Sequence, residues 1–147
     1  MLVGEFEVKI TENNRLALPS KFRKELGDKL IVTNGFERCL MLLDINGFKA
    51  LTKVISEGRF SNVNVRDVAR YLLGSAHEIT LDKQGRFVLP QSLKEFAAIT
   101  DDECVFIGLL DKIEIWSKSK WLAHKNKISS EAEKIINLLD KEIYEGN

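Results

Sequence analysis

The sequence predicts an α+β fold with a mainly β core, built from two tandem copies of one short unit with helices appended. Three observations carry this. The first is an internal repeat, which sets the architecture before any element is assigned. Glu7-Val-Lys-Ile-Thr-Glu-Asn-Asn-Arg-Leu-Ala-Leu-Pro19 lies 71 residues ahead of Glu78-Ile-Thr-Leu-Asp-Lys-Gln-Gly-Arg-Phe-Val-Leu-Pro90, and the glutamates, arginines and prolines coincide. The second is that both copies alternate short apolar runs with turn residues, the pattern of strands and hairpins. The third is composition: 147 residues, 44% hydrophobic and 30% charged, make an ordinary globular chain. That length suits one compact domain or two half-size units sharing a core, because units of about 70 residues seldom bury enough apolar surface alone.

In order, each copy reads as strand, tight turn, strand, short helix, strand, turn, strand. In the first copy, the turn at Thr11 to Asn14 leads into a strand that Pro19 stops. Proline lacks an N–H and suits the first turn of a helix, here Ser20 to Leu26, with Gly27 as its stop. Leu30 to Val32 and Cys39 to Leu43 read as a closing hairpin around Asn34-Gly35. Two helical stretches follow, 45–57 and 64–73, separated by Gly58 and the polar Ser61-Asn62. In the second copy, Ile79 to Leu81 runs into Asp82-Lys-Gln-Gly85, where Asp first and Gly fourth fit a type I turn or a bulged hairpin. Phe87 to Leu89 continues as a strand, Pro90 opens a helix over 91–98, and Cys104 to Leu110 pairs with Ile113 to Trp116 around Asp111-Lys112. Two closing helices are expected, over 118–128 and 130–144, the second with Ile135, Ile136, Leu138, Leu139 and Ile143 as an apolar stripe. The resulting division is 5–48 and 76–119 for the two repeats, 49–75 for a helical linker and 120–147 for the C-terminal helices. Short strands in small copies leave edges and apolar faces to cover, which favours intertwining of the copies and self-association.

Several function classes are excluded by what the chain lacks. Lysines and arginines number 22 and acidic residues 22, so a diffuse polycationic grip on nucleic acid or membrane is ruled out, while a local basic surface is not. No apolar run reaches the length of a membrane span, and Met1 to Lys9 has acidic residues where a signal peptide needs basic ones, which predicts a cytoplasmic protein. Cys39 and Cys104 sit in separate apolar runs and read as buried thiols. His77 and His124 have no partner at metal-ligand spacing, and Ser75 near His77 lacks a nucleophile elbow. Neither nucleotide-binding glycine signature occurs. Trp116 and Trp121 bracket a strand–helix junction and read as packing residues. No enzyme, cofactor, metal or small-molecule substrate is indicated.

The run Tyr71-Leu-Leu-Gly-Ser-Ala-His-Glu78, then Asp82-x-x-Gly-Arg86 and Leu89-Pro90, resembles the MraZ family of bacterial transcriptional regulators, which carry two tandem SpoVT-AbrB-like repeats. A weaker first copy stands at Thr11-x-x-x-Arg15 and Leu18-Pro19, and the resemblance covers nearly the whole chain. It implies two interlocking swapped-hairpin repeats forming a double-psi-like β barrel, assembled into ring-shaped homo-oligomers. It implies a sequence-specific, nucleoid-associated regulator, generally a repressor, of the division and cell-wall gene cluster. Such regulators bind repeated operator boxes upstream of their own gene. By carry-over, Arg15 and Arg86 would face double-stranded DNA. The first copy departs from the Asp-x-x-x-Arg pattern, with Thr11 for Asp and Asn14 for Gly85. Asn tolerates the left-handed backbone that Gly would adopt.

Read from residues alone, Arg15 and Arg86 each leave a turn, exposing a guanidinium able to make bidentate contacts to phosphate or a guanine edge. Lys9, Lys21, Arg23 and Lys24 flank the first turn, and Lys83 and Lys94 the second, and spacing leaves open whether base edges are read by the arginines or by strand residues such as Thr11 and Asn13. The opposing reading makes these solvated surface residues, or pairs each arginine with a local carboxylate, Asp82 for Arg86. Arg15, with more cationic neighbours and no Asp, is the first choice. The closing helix, with Glu131, Glu133, Asp140, Glu142 and Glu145 against Lys134 and Lys141, is expected away from DNA. A second function class is a partner-binding scaffold or antitoxin-like module, which would show an exposed apolar groove beside the closing helix and no salt-dependent DNA affinity.

Overall fold

The computed structural model describes residues 1–100 and 102–144. Its strands are β1 (Leu2–Lys9), β2 (Arg15–Ala17), β3 (Lys29–Asn34), β4 (Leu40–Asp44), β5 (His77–Thr80), β6 (Arg86–Val88), β7 (Glu103–Leu110) and β8 (Ile113–Ser117). Its α-helices are α1 (Ser20–Leu26), α2 (Ile45–Glu57), α3 (Val63–Gly74), α4 (Gln91–Phe96) and α5 (Lys118–Tyr144). Six strands form one antiparallel sheet in the order β1-β7-β8-β4-β3-β5, and β2 pairs with β6 in a separate antiparallel ribbon. The two copies interlock, since β1 lies beside β7 of the second copy and β5 beside β3 of the first.

The expected barrel is not formed. The fold is α+β with two sheets, neither of which closes: β1 and β5 are the edges of the larger sheet, and the ribbon stands apart from both. The cause is local. β2 and β6 are three residues long, each follows a tight turn, and each runs within two residues into Pro19 or Pro90, which cannot donate to a ladder.

Three layers result. Alternation along the strands sends one sheet face, including Leu30, Val32, Leu40, Leu42, Phe106 and Ile115, toward Leu16 and Phe87 of the ribbon, Phe22 of α1 and Leu93 of α4. The opposite face places Met41 and Leu43 under α2 and α3, and Val105, Ile107 and Trp116 under Trp121 of α5. The ribbon and the α2, α3, α5 layer therefore lie on opposite sides of the sheet. β1 approaches β7 closely at Gly108, where an added Cβ would stand 2.6 Å from the backbone of Leu2 and Val3.

Four expected details differ. The closing segment is one helix, α5, because Ser129-Ser130 contains neither Gly nor Pro to end it, and the Ser130 hydroxyl donates to the Lys127 carbonyl at 3.0 Å. Glu145 lies outside the described residues. The first hairpin turns at 36–38, closed by Gly35 N–H to Cys39 O at 2.7 Å, with Glu37 and Arg38 left-handed, rather than at Asn34-Gly35. The second turns one residue early, with Leu110 at φ +70° and the Leu109 N–H donating to Lys112 O at 2.8 Å. Helix α4 ends at Phe96 rather than 98, and Ala98 takes φ +52°.

Candidate nucleic-acid interface

The ribbon is organised about a local two-fold. Arg15 pairs with Val88, Leu16 with Phe87 and Ala17 with Arg86. Beyond these pairs the Leu18 N–H donates to Gly85 O at 2.9 Å and the Leu89 N–H to Asn14 O at 2.8 Å, the same bond made once from each copy. Strand alternation buries Leu16 and Phe87 and turns Arg15, Ala17, Arg86 and Val88 to the outer face. Two arginines 71 residues apart in sequence thus share one surface. They occupy diagonal positions of the ladder, with Cα atoms about 7–8 Å apart.

The turns that launch them close with the same bond and differ in backbone and side chains, since Asn13 as well as Asn14 is left-handed in the first and only Gly85 is in the second. The N–H of Thr11 donates to Arg15 O, and the N–H of Asp82 to Arg86 O, both at 2.9 Å. Asn14 takes φ +57° and Gly85 φ +76°, so asparagine does adopt the left-handed backbone at the glycine position. At the second turn, Asp82 Oδ1 accepts from the N–H groups of Gln84 and Arg86, each at 2.9 Å, and Oδ2 accepts from Arg86 Nε at 3.0 Å. These bonds, the Arg86 N–H foremost, hold the Asp82 carboxyl below its usual range. The Arg86 side chain is 34% exposed and in an ion pair. At the first turn the Thr11 hydroxyl donates to Arg15 O at 3.3 Å and offers no charge. Arg15 is exposed, and among the described residues its guanidinium has no hydrogen-bond or ion-pair partner.

Each turn is braced by the short helix of the opposite copy. Arg23 of α1 donates to Asp28 at 3.2 Å and to the carbonyls of Asp82 and Lys83 at 3.4 and 3.5 Å, and Gly85 leaves room for it. Lys94 of α4 donates to Asn14 Oδ1 at 3.0 Å, and Asn14 Nδ2 donates to Gln91 at 3.1 Å. The expected flanks are therefore exchanged: Arg23 sits at the second turn and Lys94 at the first. Antiparallel pairing of β2 with β6 causes this, because each strand runs toward the other copy's turn and delivers its following helix there.

Of the other expected contacts, Thr11 and Asn13 are exposed at the first turn and Lys83 at the second, with Lys9 exposed at the end of β1 and Lys24 on α1. Lys21 donates to Val3 O at 3.2 Å, near the start of β1 and away from the turns. Sequence reasoning missed Ala17 and Val88 as members of the outer face and Gln91 as a brace. The repeat alignment contained the signal, since Lys94 stands at the position of Arg23.

Among the described residues no competing chemistry converges elsewhere. Ser75 is engaged with Thr33 and the Tyr71 carbonyl, His124 stacks on Trp116, and burial pushes the Cys39 thiol far up. Among the described residues no cluster of three His, Cys, Asp or Glu side chains could hold a metal, and no helix is long and apolar enough to cross a membrane.

The family described as "MraZ protein, putative antitoxin-like" matches residues 1–71 and again 72–138. A transcriptional regulator MraZ of Clostridium acetobutylicum is 38% identical over 141 residues, covering 94% of this chain and 99% of its own. Relatives with the same name from Syntrophomonas wolfei and Natranaerobius thermophilus are each 36% identical, over 95% and 92% of this chain and 98% and 94% of their own.

Proposed function

The chain belongs to the MraZ family, and from that premise we propose that it regulates transcription by gripping double-stranded DNA with the outer face of the β2–β6 ribbon. A member of this regulatory family is not an enzyme. The observation that carries the proposal is that Arg15 and Arg86 share one exposed face, with the guanidinium of Arg15 unengaged among the described residues. A two-stranded ribbon is one of the two elements that the major groove admits, and a free guanidinium binds phosphate or guanine in bidentate fashion. Arg15 makes the stronger contact. Arg86 must share its charge with Asp82, whose carboxylate also repels phosphate.

Thr11, Asn13, Lys9, Lys24 and Lys83 supply flanking contacts in this reading, while Arg23 and Lys21 act within the protein. Two principal arginines per chain make weak binding, and the neutral chain adds little non-specific attraction. We therefore place several copies in a ring-shaped homo-oligomer on repeated operator boxes upstream of the protein's own gene, where multivalency raises avidity without new contacts. Repression of the division and cell-wall gene cluster and association with the nucleoid are part of the same proposal. The division into repeats 5–48 and 76–119, linker 49–75 and C-terminal segment 120–147 belongs to the same proposal.

Fluorescence anisotropy with DNA from upstream of the gene, across a salt series, tests the reading. Tight, salt-sensitive binding to tandem boxes and weaker binding to one box are expected. Equal affinity for scrambled DNA at physiological salt would defeat it. The exposed apolar stripe on α5 favours, second, a module that holds a protein partner, and such a module would show no salt-dependent DNA affinity.

A further inference from the structure

The outer face of the ribbon breaks the pattern that builds the rest of it. A half-buried strand turns apolar side chains inward and polar ones outward, as Leu16 and Phe87 point in while Arg15 and Arg86 point out. Ala17 and Val88 also point out although both are apolar, and Val88 is 54% exposed. They stand at the same place in the two copies, 71 residues apart, so the exception is made twice. On a face that meets a polyanion, a bare valine gains nothing from phosphate. The major groove holds an apolar feature that suits it, the 5-methyl group of thymine.

The register of the ribbon sets the distances. The bonds from Leu18 N–H to Gly85 O and from Leu89 N–H to Asn14 O make those two couples hydrogen-bonded pairs of the ladder. Alternation then leaves Arg15–Val88 and Ala17–Arg86 as non-hydrogen-bonded pairs, whose Cα atoms lie about 4.5 Å apart with side chains close together. Each arginine thus has an apolar neighbour from the other copy at its side. That separation is near the spacing of about 3.4 Å between successive bases of one strand. A thymine methyl stands out from the base edge, which lets the short valine meet it while the longer arginine stem reaches past. We propose, resting on the ribbon as the face that grips DNA, that Val88 reads the 5-methyl group of an operator thymine one base-pair step from the contact of Arg15. Ala17 makes the lesser, two-fold-related contact beside Arg86. The unengaged arginine and the larger apolar side chain share one pair, while the ion-paired arginine and the alanine share the other. The operator step under Arg15–Val88 is therefore the more strictly specified, and its counterpart under Ala17–Arg86 the more tolerant.

The test titrates the full chain, by fluorescence anisotropy, against operator DNA in which each thymine in turn is replaced by deoxyuridine. The replacement deletes the methyl group and leaves the pairing edge unchanged. One position should weaken wild-type binding about fourfold, the worth of burying one methyl group. The same replacement should leave Val88→Ala unaffected, because its side of the contact is already gone. Val88→Thr keeps a β-branched strand residue and one methyl group, and should retain part of the discrimination; it replaces Val88→Ala if circular dichroism shows that variant unfolded. Uniform affinity across all the uracil-substituted boxes would overturn the methyl contact and leave the arginine grip standing. A penalty that persists undiminished in folded Val88→Ala would give the methyl group to another residue and overturn the role of Val88. Equal wild-type affinity for operator and scrambled DNA would bring down the ribbon as the DNA-binding face, and the methyl contact with it.

Discussion

The turn at Thr11–Asn14 and the turn at Asp82–Gly85 stand at equivalent places in the two copies and close with the same 2.9 Å backbone bond, yet they leave their arginines in different states. Asp82 takes two backbone N–H groups and the Arg86 guanidinium, while Thr11 returns a single hydroxyl bond to the chain. Gly85 makes space for Arg23 of the opposite copy, and Asn14 supplies a carbonyl and an amide to Lys94 and Gln91. The closing bond therefore does not require the aspartate, although the turn that lacks it also takes Asn13 left-handed. What the aspartate changes is the freedom of the arginine four residues on, and with it the electrostatics of the face presented to a polyanion.

The largest effect should come from removing what both turns share. Phe87 is buried opposite Leu16 at the centre of the ribbon, and Phe87→Ala should cost about 3–5 kcal/mol in chemical denaturation. Both turns should loosen together, seen as increased amide exchange at Arg15 and Arg86 alike. Loosening confined to 82–86 would show that the copies are not coupled through the ribbon.

Asp82→Thr sharpens the comparison by writing the first turn's residue into the second. Melting temperature should fall by a few degrees as two backbone bonds are lost. The loss of DNA affinity caused by Arg86→Ala, measured in the Asp82→Thr background, should grow toward that caused by Arg15→Ala. The same aspartate gives a pH signature confined to one turn. Its carboxyl titrates below its ordinary 3.8 in the folded chain, so its stabilisation is complete above that value and is lost as pH falls through the depressed one. NMR titration should move the Arg86 Nε resonance at acid pH and leave Arg15 still, and Asp82→Asn should abolish the movement.

The smallest effect belongs to a brace. Lys94→Met removes the bond to Asn14 while keeping the buried stem, and should cost about 0.5–1 kcal/mol. Disturbance should appear at 11–14 in the other copy and not at the neighbouring second turn.

The repeat, the bounds of α1 and α2, the proline-started helices and the exposed turns were legible in the sequence because each rests on local chemistry: periodicity, a missing N–H, a residue that accepts positive φ. Pairing is not local. Which strand lies beside β2 depends on residues 71 positions away, so Lys94 was expected at the turn nearest in sequence and is found at the one nearest in space. The barrel came from the resemblance, and three-residue strands ending at Pro19 and Pro90 instead close a ribbon and leave β1 and β5 as open edges. The asymmetry of the candidate site was readable, because Thr11 and Asp82 stand four residues before their arginines and only one of them carries charge.

The most direct measurement sets Arg15→Ala against Arg86→Ala in anisotropy titrations on tandem operator DNA over a salt series, with oligomeric mass checked for both proteins. Each arginine that meets a phosphate should reduce the salt slope by about 0.9 per contacting copy when removed. The account predicts a loss of affinity on the order of tenfold to a hundredfold per contact for Arg15→Ala, and a smaller loss for Arg86→Ala. Unchanged affinity and slope in Arg15→Ala at unchanged mass would contradict it, because the exposed guanidinium of the ribbon would then be no part of the grip on DNA.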